Sequence, residues 1–221
     1  MSDITARRWN DALLGAALFA IAPFELNGIH LRSRPDPAQD AWFDYLRSVS
    51  APDMHFRRMP GSISAERLLG GLDLASTLES GKPVHQDGIL VECDGRTIVA
   101  PMAERMDVNA ACTIASALDT RQVCLERDGV SSRSAAKFAM VTIDESDMNE
   151  DKFHPVLHDR LSISLDLGGF SLIDLTAGCY HPDHVQSARL AYQSVSIKDA
   201  DREVIAELGF RLGVVSLRPV I

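Results

Sequence analysis

The chain has 221 residues, 46% of them apolar and 24% charged, which suits one sizeable domain with an ordinary hydrophobic core. Its formal net charge of −9 argues against nucleic acid as a main partner, because phosphate binding needs a basic face. No apolar run is long enough to offer a membrane span and the first residues lack the order of an export signal, so a cytoplasmic protein is expected.

Trp9, Leu13, Ala16, Ala17 and Ala20 recur at helical spacing and predict an amphipathic helix over residues 5–20, closed by Pro23. Residues 28–32 read as a short strand and residues 33–40 as a loop. The stretch to Val49 reads as a helix with Trp42, Tyr45, Leu46 and Val49 on one face. Strand, loop and helix in that order is the layout of a phosphate-binding loop, whose pattern is Gly, four residues, Gly, Lys, then Ser or Thr. Here Ser33 and Ala38 take the glycine positions, Gln39 the lysine, and Asp40 the hydroxyl that would ligate magnesium. Pro35 and Pro37 remove backbone donors, while Asp36 and Asp40 put negative charge where phosphate would lie. Without its flanks the segment is a proline-rich turn.

Residues 54–59 predict a strand ending at Pro60-Gly61. Residues 64–81 read as two helices broken apart at Gly70-Gly71, the second stopped by Gly81. Residues 88–104 read as a hairpin, two short apolar strands about the Asp94-Gly95 turn, with a helix starting just beyond. In a nucleotide hydrolase, a strand placed like residues 97–100 ends in an acidic pair that holds magnesium and polarises water. This one ends in Pro101 and Met102, which can do neither. Glu104 falls in the following helical turn and reads as surface charge.

Asp107 is the expected N-cap of a helix over residues 108–118 that buries Ala111, Ile114, Ala115 and Leu118. Residues 122–134 predict a second hairpin about Asp128-Gly129, residues 138–143 a central buried strand, and residues 144–151 an acidic stretch. A short helix over 153–161 and an alternating strand over 162–167 follow. After Gly168-Gly169 come two helix-like segments, at 185–193 and 199–212, the latter with Val204, Ile205, Leu208 and Leu212 on one side. The sequence reads as the first part of a longer protein. Cys93, Cys112, Cys124 and Cys179 lie far apart, and the apolar surroundings of Cys112 and Cys124 predict small, reduced core residues.

Strands alternating with helices predict an α/β fold, a mainly parallel sheet with helices on both faces and inserted β-hairpins. Five segments recur in a telling order: Leu68-Leu69-Gly70-Gly71-Leu72-Asp73-Leu74, Gly88-Ile89-Leu90, Ala117-Leu118-Asp119, Leu125-Glu126-Arg127-Asp128-Gly129 and Leu157-His158-Asp159-Arg160-Leu161. Together they resemble the AAA+ module of magnesium chelatase, its D subunit above all, over residues 9–218. The resemblance implies a degenerate P-loop-type AAA+ core over 1–168 and the beginning of a small helical lid over 169–221. The acidic, proline-rich linker and integrin-I-like domain of such D chains are not in this sequence.

The same resemblance implies a non-hydrolysing platform in bacteriochlorophyll or chlorophyll biosynthesis, the pigment chemistry of photosynthesis. It would form an oligomeric ring with the ATPase (I) subunit of magnesium chelatase and work with the large porphyrin-binding (H) subunit. Their enzyme is a ligase that uses ATP to insert Mg²⁺ into protoporphyrin IX. Mg-ATP is then expected on the I subunit, with no cofactor and no metal on this chain, which would not itself be catalytic. Arg160 would reach across a subunit boundary as a trans arginine finger on the neighbour's γ-phosphate; the plainer alternative is an Asp159–Arg160 surface pair or an arginine packed on the sheet. Glu145 falls where the family places a water-orienting polar residue, or is part of a solvated loop. Three rival readings stay open. One is an atypical but active AAA+ ATPase, and another a platform contributing surface alone. The third is a zinc-binding interaction domain built on Cys179, His181 and His184, with His154 and His158 at i, i+4. Pro155 and Pro182, read as helix breakers, speak against the zinc site, as does the lack of a closely spaced cysteine pair.

Overall fold

A computed structural model of the chain describes residues 3–82, 84–127, 130–146, 153–170, 175 and 180–213. Helix α1 (Asp3–Ile21) buries Trp9, Leu13, Ala16 and Ala20, the stripe its spacing predicts. Strand β1 (Gly28–Arg32) follows, and Gly28 is needed there because a Cβ would collide with the carbonyl oxygen of Met140 on the neighbouring strand. Helix α2 (Pro37–Val49) starts with proline in its first turn, where no amide bond is lost, and buries Ala38, Trp42, Leu46 and Val49. The Trp42 indole N–H donates to the Ala12 carbonyl at 2.9 Å and locks α2 onto α1.

Beyond β2 (Phe56–Arg58) the chain forms α3 (Ala65–Leu69), β3 (Gly70–Leu72), α4 (Leu74–Ser80) and β4 (His85–Asp87). The Gly-Gly pair therefore does more than separate two helices. It is an edge of a small antiparallel ladder with β4, and Gly70 lies at φ 89° with the Gln86 carbonyl where a side chain would have to go.

Residues 88–104 are not a hairpin. Ile89–Glu92 is a single helical turn, α5, whose Glu92 amide bonds to the Gly88 carbonyl at 3.0 Å. The Asp94-Gly95 turn instead leads that helix into β5 (Thr97–Ala100), which pairs in parallel with both of its neighbours. After a 3-10 turn (Ala103–Arg105) comes α6 (Val108–Thr120), capped by Asp107, whose carboxylate accepts the Ala110 amide at 3.0 Å. The second hairpin is present as β6 (Gln122–Arg127) and β7 (Val130–Ala135), with its Asp128-Gly129 turn outside the described residues.

Strand β8 (Ala139–Asp144) is buried at every position, as a strand in the middle of a parallel sheet should be, its two polar residues Thr142 and Asp144 included. Helix α7 (Pro155–His158) and strand β9 (Ile163–Asp166) complete the α/β core. The five parallel strands stand in the order β2-β5-β8-β1-β9. Alternation along β8 splits the interior in two. Val141 and Ile143 face the core of α1 and α2, and Met140 faces that of α6 and α7.

Helix α8 (Pro182–Tyr192) packs on the first of these cores through Val185. Its Arg189 donates to the Ala20 carbonyl at 3.0 Å and the Val49 carbonyl at 2.8 Å, so one guanidinium closes the C-termini of α1 and α2 together. In α9 (Asp199–Arg211) the predicted apolar side is unpacked: Val204 and Leu208 are exposed, as is Leu212 just after the helix. Cys112 and Cys124 also differ from expectation, both being exposed, because α6 and β6 turn Ala111, Val123 and Leu125 inward instead. Among the described residues, no helix is long and apolar enough to cross a membrane.

Candidate functional site

The carboxyl ends of β1, β8 and β9 meet at one level, where Arg32 is in register with Asp144 on one side and Asp166 on the other. The connection from β1 crosses to β2 on the far side of β8, while β9 lies on the opposite flank. A ligand crevice forms at such a point in a parallel sheet. Here it is a cleft of about 420 Å³ bordered by Arg32, Ser33, Asp36, Asp144, Asp166 and Gly168.

Of the four positions of the altered phosphate-loop pattern, Ser33 borders this cleft, and the other three lie in the first turn of α2. Ser33 is buried; its amide donates to the Asp144 carbonyl at 3.0 Å and its hydroxyl to the Arg34 carbonyl at 3.1 Å. Ala38 is buried inside α2 and Asp40 is exposed. The Gln39 amide donates to the Asp36 carboxylate at 2.9 Å, and the Gln39 side-chain nitrogen is buried without a hydrogen-bond partner. A helix N-terminus attracts an anion through its free amides. At this one the anion is the chain's own, so a phosphate would have to displace the Asp36 carboxylate or lie against it.

The strand corresponding to the magnesium-binding acids ends in a buried Pro101 and in Met102, held at φ 51°. Glu104 is not the surface charge its position suggests. Its side chain is 8% exposed, and its carboxylate accepts the Glu145 amide at 3.2 Å. Strand β8 ends one residue before Glu145, so the buried acid at its tip is Asp144. One Asp144 oxygen accepts the Ser146 amide at 2.8 Å; the other has no hydrogen-bond partner and lies 3.9 Å from His30 Nε2. The His30 ring meets the Thr142 hydroxyl at 3.2 Å and stacks on Phe153 with centroids 4.3 Å apart. His30 and Asp144 were missed in the sequence, although a polar residue interrupting β1 and an acid closing β8 were there to be paired.

Arg160 sits at the other edge of the sheet. It precedes β9, near Gly28 at the start of β1, and the Ser162 amide bonds to the Leu26 carbonyl at 3.2 Å. The length of β1 places it roughly 15 Å from the cleft at about 3.3 Å per residue. Its Nε and Nη2 both donate to one Asp119 oxygen, at 3.0 and 2.7 Å, and its Nη1 donates to the Val156 carbonyl at 2.6 Å. Asp159 is the more distant acid, at 3.9 Å. The principal partner thus comes from the end of α6, not from the adjacent residue.

The four histidines of the zinc reading do not gather into one group, although the His181 and His184 rings meet edge-on at 6.2 Å. His154 Nε2 donates to the Met106 carbonyl at 2.7 Å, while His158 meets the His30 ring edge-on at 5.2 Å. His181 pairs with Asp183 at 3.3 Å, and Cys179 lies outside the described residues. Pro155 and Pro182 open α7 and α8 rather than breaking them. Among the described residues, no group of three or more His, Cys, Asp or Glu could hold a metal ion.

No protein-family model matches the chain. Its sequence is 30% identical over 210 residues to the magnesium-chelatase 60 kDa subunit of Cereibacter sphaeroides, and 31% identical over 202 residues to that of Rhodobacter capsulatus. These alignments cover 95% and 91% of this chain. The chain belongs to the magnesium-chelatase D-type subunits. It spans about a third of its relatives' length, 34% and 33% respectively. Among solved structures, an ATPase-like protein from Cytophaga hutchinsonii matches with a TM-score of 0.56 at 12% identity, over 94% of this chain and 71% of that one. At that identity the likeness establishes the fold alone, an α/β architecture with a parallel central sheet flanked by helices.

Proposed function

We propose that this chain is the AAA+ portion of a magnesium-chelatase D-type subunit that is silent in its own cleft and acts as a platform for the ATPase subunit. On this reading it supports ATP-dependent insertion of Mg²⁺ into protoporphyrin IX, in a cytoplasmic ring with the I subunit and in company with the porphyrin-binding (H) subunit. Residues 1–168 are the core and 169–221 the start of the lid. The observation that carries the reading is the Asp36 carboxylate seated on the N-terminus of α2. Mg-ATP does not fit the residues beside it. Gln39 brings no charge to the β- and γ-phosphates, Asp40 repels them, and Pro101 and Met102 offer no oxygen to magnesium. A hydrogen bond to a charged group contributes about 1.5–3 kcal/mol, so these losses together weaken nucleotide binding by several powers of ten.

The Mg-ATP of the complex then belongs to the I subunit, and Arg160 is the group that addresses it. Its distance from its own cleft favours action on another subunit, and guanidinium supplies a fixed charge with a planar fork of donors. To act it exchanges the Asp119 carboxylate for a phosphate oxygen. The existing Asp119 pair also favours a second reading, in which Arg160 is structural and the platform contributes surface alone.

The two are separated by adding the parent protein, Arg160→Ala and Gln39→Ala to the ATPase subunit and measuring hydrolysis. The finger reading expects Arg160→Ala to lower stimulated hydrolysis by at least about a thousandfold, the lower end of the range such arginines provide, and Gln39→Ala to change nothing. An unaltered rate with Arg160→Ala leaves the surface-only platform. A rate lost with Gln39→Ala would overturn the silent cleft.

A further inference from the structure

We infer that Cys112 and Cys124 form a dithiol pair, which a hydroperoxide converts into an intrachain disulfide that pins the β6–β7 hairpin to α6. Both thiols are free and exposed, and both line one surface hollow of about 360 Å³ together with Thr113, Ser116 and Val123. The path of the chain explains the meeting. Arg121, at φ 58°, ends α6 by donating its amide to the Ala117 carbonyl at 2.8 Å, and the chain reverses there. On the helix, Cys112, Ser116 and Thr120 recur every four residues and are all exposed. On the strand, Gln122 and Cys124 share the outward face while Val123 and Leu125 point inward.

Heights along the two elements agree. From Thr120 back to Cys112 the helix rises about 12 Å at 1.5 Å per residue. From Arg121 forward to Cys124 the strand covers about 10 Å at 3.3 Å per residue. The two cysteines therefore stand at comparable distances from the reversal at Arg121, and both border the same hollow. Cys93 is a poor competitor, because it is fully buried and burial pushes its thiol pKa up, which keeps the reactive thiolate scarce.

In the first step one thiolate attacks a peroxide oxygen; an S–O bond forms, the O–O bond breaks, and the alcohol or water leaves. The second thiol then attacks the sulfenic sulfur and displaces water. Two thiols are oxidised to one disulfide and one peroxide is reduced. The ladder of β6 and β7 stands outside the central sheet, so a covalent link from its first strand to α6 restricts it directly.

The test treats the full chain with hydrogen peroxide and follows it by thiol titration, non-reducing peptide mapping and amide exchange. The expected result is loss of two titratable thiols, one cross-linked peptide containing Cys112 and Cys124, and slower exchange in Gln122–Arg127 by at least about tenfold, all reversed by a thiol reductant. Cys112→Ser should give no cross-link and leave Cys124 as a sulfenic acid trapped by dimedone. A cross-link between two chains, a link to Cys179, or separate sulfinic acids at the two positions would overturn the pairing. Unchanged exchange in the cross-linked protein would overturn the pinning.

Discussion

Asp36 caps α2 and, on the proposed reading, also keeps phosphate from the helix N-terminus. Its carboxylate takes the amide of Gln39 in the first turn of α2, so Asp36→Ala removes a cap and costs about 1 kcal/mol of stability, read as a lower urea midpoint with an unchanged slope. The same substitution clears the negative charge without restoring nucleotide affinity, because Gln39, Asp40, Pro101 and Met102 remain. The strand, loop and helix over residues 28–49 were legible in the sequence because helical spacing and the two prolines mark them. The roles of Glu104 and Asp144 were not. Burial of a lone acid is decided by which elements close over it, and a strand end misplaced by one residue moves attention from Asp144 to Glu145. Arg160 was singled out as a trans arginine finger, with a pair to its neighbour Asp159 as the plainer alternative, whereas its main partner Asp119 is 41 residues away in the chain.

Elements with a long, consistent period were readable: α1, α2, α6, β8 and the β6–β7 hairpin stand where spacing and turn residues put them. Short elements were readable only in part: β1, β5 and β9 stand where expected, whereas α5 and the β3–β4 ladder do not. Ile89, Leu90 and Val91 have strand-forming side chains, yet with only Leu90 fully buried and no second strand to pair with, a helical turn wins. The Asp94-Gly95 turn marks a reversal without saying what lies before it. Strands β3 and β4 carry glycines and polar residues, and they pair because two backbones approach at Gly70 and Gly88 where a Cβ would collide. At the same scale, α8 is fastened by Arg189 to two helix C-termini at once. Arg189→Ala should destabilise the protein by about 1–2 kcal/mol through lost charged hydrogen bonds. Denaturant unfolding should show that loss and amide exchange should locate it in α8; an exchange pattern unchanged there would mean that Val185 and its neighbours hold the helix unaided.

At the scale of the whole molecule, the parallel sheet β2-β5-β8-β1-β9, the two cores on its faces and the cleft at its carboxyl edge make an α/β body with a ligand crevice at one end. On the proposed reading, that body has no arrangement of donors and acids at its cleft suited to Mg-ATP. The most direct measurement is a calorimetric titration of the full chain with Mg-ATP. The silent-cleft reading predicts no saturable binding at concentrations up to about 1 mM, the level at which binding free energy falls to about −4 kcal/mol. Saturation with a micromolar Kd, abolished by a substitution at Gln39, would contradict it.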